Sequence, residues 1–177
     1  MAVLLIVAAL VYFAGETVAV AAWSGPGYSL VGDHISDLGV PGPDSPLAWA
    51  MNGAFVVNAV LVFLAVRDRC VFRGLTLAYC AGLILIAVFH TGSSLHGLGA
   101  FLAIAGGNAA IVMIRRFRFL GVTGLVGFAA FVAFPGDYSG LLERIAVYPI
   151  LVTQFVAGLI LLRLGPRAWS GAREPRL

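Results

Sequence analysis

Residues 2–23 read AVLLIVAALVYFAGETVAVAAW, an apolar run in which Glu16 is the only charged residue. As an α-helix, a segment of this length reaches about 33 Å, enough to cross the hydrocarbon core of a bilayer. It shows no two-residue alternation and is too long for a tilted membrane strand, which excludes a closed barrel. A helix satisfies its own backbone in lipid, so the run predicts a helix. The alternative is a cleaved signal peptide, because Ala19-Val20-Ala21 resembles a cleavage site. The run lacks the basic n-region of such signals, and it is long enough to span.

Five more apolar stretches follow: Pro46–Val66, Gly74–His90, Leu95–Ile114, Phe119–Phe134 and Leu141–Leu162. Of the 177 residues 61% are hydrophobic and 11% charged, against roughly 45–50% and 25% in soluble domains. A soluble fold of this size has too little interior to hide that surface, so the bilayer must act as its solvent. The expected fold is an all-α membrane protein: a bundle of six transmembrane helices with short loops, forming one domain over residues 1–177. A basic tail over residues 163–177 ends it. Local signals agree. Asp44-Ser45-Pro46 offers a cap followed by a first-turn proline. Thr91-Gly92-Ser93-Ser94 ends one helix with glycine and caps the next with serine. Phe134-Pro135-Gly136-Asp137 is turn chemistry before the last span. Cys80 reads as a packing residue and Cys70 as a loop residue, with no disulfide framework.

All eleven basic residues are arginines. In a six-span chain Arg67, Arg69, Arg73, Arg115, Arg116, Arg118, Arg163, Arg167, Arg173 and Arg176 fall on one side, with only Asp68 and Glu174 against them. The positive-inside rule makes that side, and both termini, cytoplasmic in a multi-pass protein of the cell membrane. The outer side carries Arg144 against Asp33, Asp37, Asp44, Asp137 and Glu143. The arginines are thus an orientation signal and an anionic-lipid contact, and nucleic-acid binding is excluded.

Every histidine falls on the outer side. His34 lies in the first outer loop, while His90 and His96 flank the second outer turn. A helix C-terminus favours imidazolium and an N-terminus the neutral ring. His96 is therefore expected as a base or metal ligand, and His90 as a proton carrier. With nearby carboxylates, His34, His90 and His96 could hold zinc with one open position. The plainer alternative makes them hydrogen-bond partners at the interface. Arg144 opposes the orientation rule and is expected in a first helical turn. It therefore calls for an anion: Asp37, Asp137, Glu143 or a lipid phosphate. Glu16 sits inside the first span, so it should face the bundle, be protonated, or pair with Asn52 or a backbone group. Asn58, Asn108, Thr153 and Gln154 read as interhelical glue.

A set of motifs runs in order along the chain. They are Ile35-Ser36-Asp37-Leu38-Gly39 after an outer tyrosine, Ser45-Pro46 to Met51-Asn52, Leu95-His96-Gly97-Leu98-Gly99-Ala100 to Gly107-Asn108, and Gly140-Leu141-Leu142-Glu143-Arg144 to Tyr148-Pro149. Together they resemble the bacterial membrane family known as domain of unknown function 998, from about Tyr28 to Leu162. The resemblance implies a six-span integral membrane protein and carries no established reaction. It singles out Ser36, Asp37, Asn52, His96, Asn108, Glu143, Arg144 and Tyr148. One departure stands out: the family often has a proline and an acid before the histidine of span four, where this chain reads His90-Thr91-Gly92-Ser93-Ser94.

Three functions remain in competition. A polar outer vestibule of Asp37, His96, Glu143 and Arg144 would bind a lipid headgroup or an amphipathic small molecule. An outer-leaflet hydrolase or transferase would use His96 as base or ligand, Asp37 to orient it, and Arg144 to hold a phosphate. A transporter subunit is the third reading.

Overall fold

Side chains on a membrane helix meet lipid on one face and neighbouring helices on the other, and small residues on the inner face let backbones approach. The computed structural model describes residues 1–66 and 70–165. Its six helices are α1 (Ala2–Ala21), α2 (Ala48–Ala65), α3 (Cys70–Val88), α4 (Ser94–Val112), α5 (Arg118–Ala133) and α6 (Ser139–Leu164), with one 3-10 turn at Ser36–Gly39. No strand occurs among the described residues. Helices α1, α2, α4 and α6 are long and apolar enough to cross a membrane, whereas the apolar helix Phe72–Val88 and α5 are shorter. The orientation residues Arg67, Asp68, Arg69, Arg167, Arg173, Glu174 and Arg176 lie outside the described residues.

Each helix packs against the next, and α6 returns to α1, so the six close a ring; α4 also touches α6 across it. Short connections make packed neighbours antiparallel. The long connection of residues 22–47, between α1 and α2, therefore lies at the same end as the α3–α4 and α5–α6 turns. It folds over that end as a cap, and its 3-10 turn packs on α1 and α2.

Glycines set the spacing around the ring. A methyl on Gly15 would strike Ala54 and the Ala50 carbonyl of α2, and one on Gly82 would strike the Gly99 carbonyl and Ala103 nitrogen of α4. Gly124 lies against the Asn108 side chain, joining α5 to α4, and Gly158 against Ile6 joins α6 to α1.

Polarity is distributed inside out. Val3, Leu10, Val60, Phe63, Phe101, Val126 and Val152 point outward, while Glu16, Asn58, Asn108, Glu143, Arg144 and Gln154 are buried. Asn58 donates to Ala8 O and to Gln154 Oε1, both at 2.9 Å; Tyr79 donates to Asn58 Oδ1 at 2.6 Å, and Gln154 to the Tyr79 hydroxyl at 3.0 Å. This closed network joins α1, α2, α3 and α6, the glue expected of Asn58 and Gln154. Asn108 donates to Ile104 O and Ala146 O, linking α4 to α6.

Two helix starts differ from the sequence reading. Helix α2 begins at Ala48 with no side-chain cap, because the Ser45 hydroxyl donates instead to Leu38 O at 2.7 Å. Helix α6 begins at Ser139, so Arg144 sits beyond the first turn. The serine cap of α4 is as expected: Ser93 Oγ accepts from Leu95 N and His96 N. Before it, Gly92 turns the chain at φ +94°, in the left-handed region that glycine favours.

Candidate functional site

The capped end is built on a period of four. Tyr12 and Glu16 of α1 share one helix face, and both are buried. Glu143, Arg144 and Tyr148 come from the facing turns of α6. Arg144 Nη2 lies 3.1 Å and Nε 3.2 Å from Glu16 Oε1. The Tyr148 hydroxyl donates to both Glu16 oxygens, at 3.0 and 3.1 Å. Glu16 thus pairs with a cation supplied by α6. Asn52, the partner expected for it, donates to Gly39 O at 2.7 Å and holds the 3-10 turn on α2.

The same arginine ties down the cap. Its Nη1 donates to Leu30 O at 2.8 Å and Asp33 O at 2.9 Å, as well as to Gly140 O of its own helix. Between those two carbonyls, Val31 O and Gly32 O accept from Leu141 N and Gly140 N at the start of α6. Four consecutive carbonyls of the connection are therefore all taken by α6. This also satisfies N–H groups that the missing side-chain cap would leave open. Arg144 Nη2 donates to the Tyr28 hydroxyl at 2.7 Å, which itself donates to His34 O at 2.8 Å. Burial pushes the Tyr28 phenol well above its ordinary range and outweighs Arg144, which pulls the other way. Arg144 spends its donors on protein acceptors.

His34 and Asp37 form a second pair, with Nδ1 to Oδ2 at 3.2 Å, and Asp37 also accepts from the His34 amide at 3.1 Å. The hydrogen bond to Asp37 raises the His34 pKa above its ordinary value against burial, which opposes it. Burial pushes the Asp37 carboxyl up, and the bonds and charge of His34 outweigh it, leaving the pKa below the usual range. The His34 ring also packs edge-on against Phe131 of α5 at 5.5 Å.

Beneath the cap lies a cavity of about 30 Å³, lined by Tyr12, Phe55, Tyr79, His96 and Glu143, with Ser36 of the 3-10 turn beside it. Glu143 is 8% and His96 9% exposed. Glu143 Oε2 accepts from Ile35 N at 2.5 Å, and no ion pair to Glu143 occurs among the described residues. His96 Nδ1 lies 2.8 Å from Phe89 O. A carbonyl only accepts, so Nδ1 carries the proton, and Nε2 of the neutral ring keeps its lone pair. The Tyr12 hydroxyl has no hydrogen-bond partner among the described residues.

The sequence-derived set thus divides. His96, Glu143 and Ser36 meet at the cavity; Glu16, Arg144 and Tyr148 form the lock beside it; Asn52 holds the cap. Asp37 bonds His34 rather than His96, and its charge still reaches His96. His90 is exposed in the α3–α4 turn. Among the described residues no three His, Cys, Asp or Glu side chains converge on one metal position. His34, His90 and His96 are held apart because Asp37 claims the first, the turn exposes the second, and Phe89 O orients the third. Sequence reading missed Tyr12, which passed as one more apolar residue; its signal was the spacing of four to Glu16. It also missed Tyr28, whose role depends on a contact across 116 residues of chain.

Apolar helices closed into a ring around buried polar groups define an all-α protein of membrane character. The chain belongs to the family described as protein of unknown function DUF998, whose model matches residues 6–160. Neither a curated protein nor a solved structure matches it.

Proposed function

We propose that this chain is a six-span protein of the cell membrane, with both termini cytoplasmic, that binds a small polar group of a lipid or amphipathic molecule between His96 and Glu143. The observation that carries this reading is that two ionisable side chains, each more than nine-tenths buried, line one internal space. Each makes one hydrogen bond, Glu143 to Ile35 N and His96 to Phe89 O, and keeps capacity for more; burying such groups is costly, so a binding role accounts for them better than packing does. Orientation rests on the exposed Arg73, Arg115, Arg116, Arg118 and Arg163, all at the end away from the cap. Glu16, Arg144 and Tyr148 serve as positioning residues that hold the cap over the cavity.

A hydrolytic enzyme is the second reading, favoured by one observation: the His96 Nε2 lone pair and the Glu143 carboxyl border one space with room for water. That is the layout of a general-base site. Native mass spectrometry of the protein released from its expression membrane tests the binding reading. Wild type should retain about one amphiphile, and folded Glu143→Gln and His96→Ala variants should lose it. Retention undiminished in both variants, or none in wild type, would overturn it.

A further inference from the structure

The cavity is rich in acceptors and poor in donors, which restricts what can enter it. Glu143 has further lone-pair positions beyond the one taken by Ile35 N–H. His96 offers Nε2, and the Tyr12 hydroxyl is unpartnered although Tyr12 is only 2% exposed. The rings of Tyr12, Phe55 and Tyr79 also border the space, and aromatic faces attract cations. The nearest guanidinium, that of Arg144, is committed to Glu16, Tyr28 and the cap carbonyls. An anionic group would therefore meet a buried carboxylate and no free cation.

Charge gives the same answer. Glu16 has Arg144, and Glu143 has no ion-pair partner among the described residues. A buried carboxylate of that kind calls for a cation. Hydrogen-bonding capacity then selects among cations. The Glu143 carboxylate, His96 Nε2 and the Tyr12 hydroxyl are three acceptors around one space, matched by the three N–H donors of a primary ammonium, whereas a trimethylated nitrogen has no donor to offer them. The remaining wall, including Leu83, Ala100, Ala103 and Ile104, is apolar and suits methylenes.

We propose that the cavity takes the primary ammonium group of an amine, hydrogen-bonded by Glu143, His96 Nε2 and the Tyr12 hydroxyl. This rests on the binding reading above and names its ligand class. The amine can come from an aminophospholipid headgroup or from a free small amine, and both offer the same three donors.

The test uses the full chain in nanodiscs of phosphatidylcholine doped with either phosphatidylethanolamine or phosphatidylglycerol, with ethylammonium and tetramethylammonium as soluble probes. Bound lipid is read by native mass spectrometry and soluble binding by the shift in unfolding temperature. Phosphatidylethanolamine should be retained roughly tenfold over the other two lipids, the ratio expected of one charge-assisted hydrogen bond. Glu143→Gln, which keeps an acceptor for Ile35 N–H, should abolish the preference. Tyr12→Phe should weaken it without lowering the unfolding temperature of the free protein. Stabilisation by ethylammonium but not tetramethylammonium, without lipid preference, would assign the site to a free amine. Equal retention of all three lipids, sensitive to Glu143→Gln but without an ethylammonium effect, would overturn the ammonium assignment and leave the binding reading standing. No retained lipid and no ethylammonium effect would overturn both.

Discussion

Arg144 sits near the capped end of α6, where the sequence calls for an anion from Asp37, Asp137, Glu143 or a lipid phosphate, and the fold supplies Glu16 instead. Its guanidinium fork reaches a carboxylate, a phenol and loop carbonyls at once, a geometry lysine cannot reproduce. Arg144→Ala would leave Glu16 buried and unpaired, at a cost of about 3–5 kcal/mol. Thermal unfolding in detergent should show that loss, a smaller one for Arg144→Lys, and a smaller one again when Glu16→Gln accompanies Arg144→Met. Undiminished stability of Arg144→Ala would mean the pair does not hold the cap. His34 and Asp37 give a pH signature. A raised histidine pKa stabilises below the ordinary value near 6.5, and the gain is lost as pH rises through the raised one. A lowered carboxyl pKa stabilises above the ordinary aspartate value, and that gain is lost as pH falls through the lowered one. The pair therefore contributes between the two, in a setting where Glu143 and Asp33 face His34 and His96 faces Asp37. NMR titration of the His34 ring should find its midpoint above about 6.5, moving down in Asp37→Asn; a midpoint at or below that value would contradict the pairing. At this scale the sequence showed which residues are costly to bury. It could not show their partners, since Glu16–Arg144 and Ile35–Glu143 join residues more than a hundred positions apart.

Helices were the most legible level, because hydropathy and turn residues act over short distances. All six apolar stretches are helical, and the serine cap of α4 stands where it was read. The start of α2 was misread because Ser45 had a tertiary partner in Leu38 O. What the stretches could not reveal is which glycines face a neighbour. Gly82 and Gly53 both lie mid-helix; a methyl on Gly82 would meet the backbone of α4, and one on Gly53 would meet nothing within 4 Å. Gly82→Ala should therefore destabilise by about 1–3 kcal/mol through overpacking. Gly53→Ala should stabilise by about 0.5–1 kcal/mol through helix propensity. Unfolding of the two variants in mixed micelles checks the signs. The same sign for both would mean that α3 and α4 do not approach as closely as the ring requires.

For the molecule as a whole, the ring order α1 to α6 makes the polar cap and the exposed arginines opposite ends of one object. This arrangement, more than any single residue, gives the cavity its sidedness. Capped by residues 22–47, it opens its polar groups toward the acidic end, while Arg115, Arg116 and Arg118 mark the other. The topology proposed above, which follows the positive-inside rule, puts the cap outside the cell. Accessibility of single cysteines tests this in a chain carrying Cys70→Ser and Cys80→Ala. Gly42→Cys lies in the exposed connection with nothing within 4 Å of its side-chain position, and Arg116→Cys lies in the exposed turn between α4 and α5. A membrane-impermeant maleimide should label Gly42→Cys in intact cells, and Arg116→Cys only after permeabilisation. The reverse pattern would turn the cavity toward the cytoplasm and make a cytosolic amine its natural ligand. Labelling of both from outside would break the alternation of the helices across the bilayer, and with it the six-span reading.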